Sequence, residues 1–285
     1  MIEQTAVITD SVACLPDDLI RKYGIEVVPI QLIMDGKAYR DGVDIKPDEF
    51  YRRLLELNQP PTTAGAVPGA FIEAFKKAAR NSKNILCITV SGRLTGIFNA
   101  AREARDILQQ ERPEIKIEIL DSGTAAAAQG FVVLAAARAL IEGKSTAEAL
   151  ITAYNVSHRV HLVGIVNSLE YLIKSGRVPR AAELANKVLR LKPVFALVGG
   201  AAHPVATSRS FMSGIQYLLK LMKRETGDNP VHVAIMHAAA PKEALSLKEA
   251  ITSRFLCKEL FVTEFTPVMG AHTGPGVVAI AFYID

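Results

Sequence analysis

The sequence contains no tryptophan, and aromatic residues make up only 6% of its 285 positions. A core of any size must therefore be built from aliphatic side chains. Cysteine is equally scarce: Cys14, Cys87 and Cys257 stand far apart, with no Cys-x-x-Cys pair. That spacing excludes a disulfide framework and a thiolate zinc site, and it fits a reducing compartment. A strong excess of one sign of charge is also missing. The formal net charge of +4 is too small to argue for nucleic acid, and no basic run is interleaved with aromatics. No apolar stretch reaches membrane-spanning length, since the run over 131–141 is short and contains Arg138, so no stable membrane insertion is expected. The opening Met1-Ile2-Glu3-Gln4 lacks the basic and apolar regions of a signal peptide, and a cytoplasmic location is expected. Neither Gly-x-Gly-x-x-Gly nor Gly-x-x-x-x-Gly-Lys occurs, which argues against a nucleotide loop. His158 and His161, like His232 and His237, have no companion ligands at metal-binding spacing, so no metal site is expected. His158, His161, His203 and His232 are read as structural or exposed.

What is present is aliphatic bulk: 49% of residues are hydrophobic and 22% charged. With this length, that composition predicts about two domains. The first half alternates strand and helix patterns. Ala6-Val7-Ile8 leads into Thr9-Asp10-Ser11, and Pro16-Asp17-Asp18 opens a helix, proline being tolerated in a first turn. The stretch 25–33 reads as a strand broken by Pro29, turned back at Asp35-Gly36 into a hairpin-like excursion near 30–45. Pro47 and Pro68 start two more helices. The runs 85–90 and 115–120 read as strands buried on both faces of a parallel sheet, with helices following near Thr95 and Ala125. Residues 1–157 are thus expected to form a Rossmann-like, doubly wound α/β domain.

Residues 158–285 follow another pattern. Strands are expected over 160–166, 193–198, 231–236, 260–265 and 277–283, with helices over 169–174, 181–189, 211–224 and 242–251. There are too few crossovers for a second Rossmann unit, so this half is read as a mixed α+β domain.

Polar clusters mark the ends of the first-half strands: Thr9-Asp10-Ser11, Thr62-Thr63, Ser91-Gly92-Arg93-Leu94-Thr95-Gly96 and Asp121-Ser122. Ligands of doubly wound sheets collect at such ends, and hydroxyls beside free backbone N–H groups suit an anion. The same residues are routine helix caps. For Asp10 and Asp121 a capping or bracing role is favoured; for Ser91 and Thr95 both readings stand, two glycines keeping that backbone open. In the tail, Gly270-Ala271-His272-Thr273-Gly274-Pro275-Gly276 reads as a loop pinned by the apolar strand after it. Glycine permits close backbone approach to a ligand, which makes His272 and Thr273 site candidates; a buried structural histidine is the alternative.

Taken in order, these pieces resemble the DegV family, the bacterial fatty-acid-binding family that includes the FakB carriers. The resemblance is carried by Thr9-Asp10-Ser11, Val28-Pro29, Pro61-Thr62-Thr63, Ser91-x-x-Leu94-Thr95-Gly96 and Asp121-Ser122. It continues through Leu169–Arg177, Lys192-Pro193, His237 and the closing 270–276 segment. It implies a two-domain α/β protein that holds one long-chain fatty acid in a tunnel between its domains. It implies no catalysis by the chain itself and no cofactor. A partner fatty acid kinase subunit would take the acyl carboxylate, in service of phospholipid metabolism. Thr63, Ser91, Gly92 and Thr95 would meet the carboxylate, with His272 and Thr273 approaching from the other domain. Arg177, Arg180 and Arg209 would form the surface that the partner meets. The chain departs from the family where it has Thr63-Ala64-Gly65-Ala66-Val67, Gly92, Ile97 and Ala126 in place of more polar residues, and in a thinner basic segment at Ala206-Thr207-Ser208-Arg209. The polar shell is leaner for it.

The energetics suit such a ligand. About 14 methylenes at roughly 0.8 kcal/mol each favour an apolar site by about 11 kcal/mol before ordering costs, and an uncompensated carboxylate would erase several kcal/mol of that. Two or three donors at one end of an aliphatic tunnel are needed. Between 174 and 192, Lys174, Arg177, Arg180, Lys187, Arg190 and Lys192 face only Glu183 as an acid. That stretch is either a solvated helix face or a dock for an acidic partner. A serine hydrolase using Ser91 or Ser11 with His272 is the alternative; no Gly-x-Ser-x-Gly elbow surrounds either serine.

Overall fold

The computed structural model describes residues 5–57, 59–64, 67–177 and 191–285. The chain opens with β1 (Thr5–Asp10), a single 3-10 turn over Ser11–Ala13, α1 (Asp17–Tyr23) and β2 (Glu26–Val28). Pro29 ends β2, because a proline cannot donate to a ladder. The hairpin β3 (Gln31–Met34) and β4 (Lys37–Arg40) then turns at Asp35 and Gly36, both at positive φ. There follow α2 (Pro47–Leu54), β5 (Thr62–Thr63), α3 (Pro68–Ala78), β6 (Asn84–Thr89), α4 (Ile97–Glu111), β7 (Lys116–Asp121), α5 (Ala126–Ile141) and α6 (Thr146–Arg159).

Two sheets come from this half. The first is wholly parallel, in the order β2-β1-β6-β7. β6 is buried along its entire length, as a central parallel strand should be. β7 is not: it is the sheet's edge, and Lys116 and Glu118 are exposed. Its apparent apolar run is an alternation with one wet face. The second sheet is small, β4-β3-β5, and antiparallel. Thr62-Thr63 therefore does not end a strand of the parallel sheet; it is a short strand of its own, paired with β3 through Leu32↔Thr63.

The second half contributes β8 (His161–Ile165), α7 (Glu170–Ser175), β9 (Lys192–Val198), β10 (Ala201–Ser208), α8 (Phe211–Thr226), β11 (Val231–His237), α9 (Pro241–Thr252), β12 (Cys257–Glu264), α10 (Pro267–Thr273) and β13 (Val278–Tyr283). Its sheet runs β10-β9-β8-β13-β11-β12, antiparallel except between β11 and β12. The chain is thus α/β, with a parallel Rossmann-like sheet in its first half and a mixed sheet in its second. β10 is an addition to the expected strands. Pro204 disguises it in sequence, and the structure tolerates that proline on an edge strand beside a register shift. The expected helix over 181–189 lies outside the described residues.

α10 is a correction. The tail read as a glycine loop is a helix to Thr273, begun by Pro267 and stopped at Gly274 with φ 73°. Gly270 sits inside that helix for a packing reason: a Cβ there would fall 2.6 Å from the Tyr51 hydroxyl and 2.7 Å from the Phe50 ring.

α5 joins the halves. It is apolar on every side, as a helix enclosed by protein must be, and all but a few of its residues are buried. It touches β1 and β6 of the parallel sheet and β11 and β13 of the mixed one. Its exposed end is fixed by Arg138, which grips the Glu259 carboxylate of β12 with two hydrogen bonds of 2.8 and 2.6 Å. Burial pushes Glu259 up, but hydrogen bonds from His232 and Arg138 outweigh it and hold the carboxyl at about 2. One apolar cluster consequently spans both sheets, and a smaller one lies on the far face of the mixed sheet, beneath α8 and α9.

Candidate functional site

Side-chain alternation dictates where the mixed sheet opens. On β8, Val163 and Ile165 point into the core beneath α8 and α9, so Leu162 and Gly164 point the other way. On β13, Val278, Ile280 and Phe282 fill that same core, which turns Ala279 toward Gly164, its registered partner. At Gly164 and Ala279 the face looking at the parallel sheet therefore carries small residues, where Val163, Ile165, Val278 and Ile280 on the opposite face are large. A cavity lies along it, with about 1130 Å³ of empty space when its open mouth is included. Val12, Val90, Leu94 and Ile97 close it from the first half; Phe195, Leu197 and Ala202 close it from the second.

Its polar groups come from separate elements. Thr63 arrives on β5, Thr95 on the loop before α4, and Ser175 and Arg177 at and just beyond the end of α7; His272 and Thr273 close the last turn of α10. α10 packs against α7, α2, β3 and β5, which brings the strand that carries Thr63 beside the helix that carries His272. The α7–α10 contact is close because of Gly274, where a Cβ would collide with the Tyr171 ring.

Burial, followed by the charge of Arg177, depresses the His272 imidazole from its usual value to about 4. It is neutral at pH 7, and a neutral imidazole can donate from one nitrogen. The side chains of Thr63, Thr95 and His272 make no hydrogen bond to other described residues. The Thr273 hydroxyl donates to Met269 O at 2.9 Å, so it can offer a ligand only its acceptor capacity.

Of the sequence candidates, Thr63, Thr95, His272 and Thr273 line the cavity. Ser91 and Gly92 are engaged elsewhere. Ser91, 1% exposed, donates its hydroxyl to Gly200 O at 3.0 Å across the two halves, and the Gly92 N–H donates to Asp121 Oδ2 at 3.0 Å. Arg93 repeats the pattern with a 2.8 Å bond to Gly199 O. The loop that looked like an anion cradle thus holds the β9–β10 turn in this structure. Asp10 braces: its oxygens accept from Val12 N, Val90 N and the Gln129 amide. Arg177 is exposed; it also lines the cavity, and its charge acts on His272. Arg209 is exposed beyond β10. Arg180, Lys187, Arg190 and Glu183 lie outside the described residues. Among those described, no group of three or more His, Cys, Asp or Glu side chains could hold a metal, and no helix is long and apolar enough to cross a membrane.

Sequence reasoning missed Asp41 and Tyr51, which hold α10 in place. The Tyr51 hydroxyl donates to Phe265 O at 3.0 Å, and Asp41 Oδ1 accepts from Val268 N at 3.3 Å. The only sequence signal at Asp41 is Asp-Gly turn chemistry, which points to local structure.

Fold and cavity together define an α/β protein of two principal sheets with a largely apolar internal cleft lined by a few polar side chains. The chain belongs to the DegV family: the model of that family, described as "Uncharacterised protein, DegV family", matches residues 4–285. A DegV domain-containing protein of Caldanaerobacter subterraneus subsp. tengcongensis is 31% identical over 282 residues, 99% of each chain. Among solved structures, a fatty-acid-binding DegV family protein from Thermus thermophilus aligns with a TM-score of 0.92 at 26% identity, covering 99% of this chain and 100% of its own. DegV of Bacillus subtilis, described as a fatty acid binding protein, aligns with a TM-score of 0.89 at 23% identity, covering 99% of this chain and 100% of its own, and adds support for the fold.

Proposed function

We propose that this chain is a lipid-binding carrier that takes one long-chain fatty acid into the cavity, tail along the small-residue face of the mixed sheet. The carboxylate then lies at the α10 end. The observation that carries this reading is the pairing of an apolar cleft with a partly buried, neutral His272 and two threonine hydroxyls, none hydrogen-bonded to other described residues. Such donors offset the desolvation of a carboxylate, and Arg177 supplies a positive charge at the mouth. The likeness to the Thermus thermophilus protein supports the same ligand class. Mass spectrometry of an organic extract of the purified protein tests it directly: a stoichiometric long-chain fatty acid is expected, and an extract without one counts against the reading.

Thr63, Thr95 and His272 are the proposed carboxylate ligands. Ser91 and Gly92 would first have to release Gly200 and Asp121, which makes them secondary. Replacing His272 with alanine should weaken binding by about 1–3 kcal/mol, roughly tenfold, through loss of a hydrogen bond to a charged group. Equal affinity of variant and parent in calorimetric titration would remove His272 from the site.

The partner is proposed to be a fatty acid kinase subunit, docking at the mouth through Arg177 and Arg209, with any catalysis residing in that partner and a cytoplasmic location for both. The lobes are taken to divide near residue 157, in the last turn of α6 and just before β8. Arg209→Glu should leave fatty acid affinity unchanged and lower the rate of acyl phosphorylation in a reconstituted assay several-fold; an unaltered rate would displace the dock. A hydrolase built on Ser91 is disfavoured, because its hydroxyl is committed to a backbone carbonyl and not to an imidazole.

A further inference from the structure

Asp41 lies immediately after β4, far from the cavity in sequence, and is only 2% exposed. Its surroundings are specific. Oδ2 accepts the Ser11 hydroxyl at 2.6 Å, and Oδ1 accepts the N–H of Val268 in the first turn of α10 at 3.3 Å. Its own N–H donates to Ile30 O at 2.9 Å, and the Ser11 oxygen in turn accepts from Ile30 N at 3.2 Å. The next residue, Gln31, accepts from Ala64 N at 3.0 Å, and Leu32 is the registered partner of Thr63. One carboxylate therefore sits between the small sheet that delivers Thr63 and the helix that delivers His272. A buried carboxylate is costly unless its oxygens are filled, and here both are filled by groups whose relative position matters to the cavity.

We propose that Asp41 is a positioning residue for the polar end of the cavity, locking the His272 helix against the segment that carries Thr63. The negative charge at the first turn of α10 also complements the unpaired N–H groups there, so the same contact favours the helix. A Cβ at Gly270 would meet Tyr51 and Phe50 on the other side of α10. The helix is thus held from two directions, and its last turn, with His272, has little freedom once Asp41 is engaged.

Asp41→Asn keeps the shape but turns one oxygen into an N–H donor that must face either the Ser11 hydroxyl or the Val268 N–H. The test has two arms. In ligand-free protein, the imidazole resonances of His272 should move in Asp41→Asn, and by less in Ser11→Ala, while those of His158, His161 and His203 stay in place. An unmoved His272, or all the histidines shifting together, would overturn the assignment. In titrations with palmitate, Asp41→Asn should lower affinity about tenfold in the parent but less than twofold in a His272→Ala background, because removing the imaged side chain removes what Asp41 positions. Equal losses in the two backgrounds would show that Asp41 supports the whole fold instead, and would overturn it. Should Asp41→Asn fail to fold, Ser11→Ala carries the same comparison with an expected loss of about threefold. The binding arm rests on the fatty-acid reading and the resonance arm does not: a parent protein that binds no palmitate defeats that reading, while the histidine resonances still decide on Asp41.

Discussion

Replacing Gly164 with leucine is expected to cost at least a hundredfold in fatty acid affinity while leaving a folded protein. The strand alternation that turns Val163 and Ile165 into the far core aims position 164 at the cavity. The site is already tight against its neighbour: a Cβ on Gly164 would lie 2.8 Å from the Ala279 Cβ and 3.3 Å from Val278 O. A leucine side chain must therefore lean into the open space, where it takes the room of about four methylenes. At about 0.8 kcal/mol for each displaced methylene, the ligand loses roughly 3 kcal/mol, a factor above one hundred. Overpacking costs the fold about 1–3 kcal/mol, to be read separately from urea unfolding. Titration with a labelled long-chain fatty acid decides the matter. Undiminished affinity in a folded variant would mean that the tail runs somewhere else.

The second large effect is in acid. Burial holds the His272 imidazole at about 4 in the native protein, against about 6.5 once unfolded. Between those values the unfolded chain binds a proton that the native one refuses. Stability from this group is thus fully present above pH 6.5 and is lost as pH falls toward 4, by about 3 kcal/mol. Asp10 and Asp41 work in the opposite sense. Burial, partly offset by their hydrogen bonds, raises both to about 6, so their contribution is present below about 3.8 and is lost as pH rises through 6. The parent's stability profile is flattened by this opposition, and the difference between parent and His272→Ala isolates the histidine. That difference should shrink by about 3 kcal/mol from pH 7 to pH 4 in paired urea titrations. A constant difference would mean that the imidazole is not shielded from water.

How much of this was legible in the sequence depended on range. Helices opened by Pro47 and Pro68, and strands made of apolar runs such as 85–90, are specified by neighbours a few residues away, and the structure has them within a residue or so of where they are expected, that strand as Asn84–Thr89. The β10 edge strand was hidden because Pro204 argues against a strand, and only pairing with β9 overrules it. α10 was hidden because Gly270, Gly274 and Gly276 together look like a loop. The glycine inside the helix is there to let Phe50 and Tyr51 approach, a contact across some 220 residues that no local pattern shows. The site divides in the same way. Thr95 and His272 stood out by residue type and glycine context, and Thr63 by its place in a polar cluster that the family resemblance marks. The engagement of Ser91 with Gly200, and of Asp41 with Val268, spans 109 and 227 positions, and nothing near either residue announces it.

The placement of α5 has a consequence for how the molecule is made. Emerging from the ribosome, the first half can complete its parallel sheet and still display one side of α5 to water. Among the described residues, the inner faces of β11 and β13, which include Ala234, Met236, Ala279 and Ala281, pack against α5 of the earlier half. The later half must therefore fold onto a template already finished, and a fragment beginning at β8 would be born without its floor.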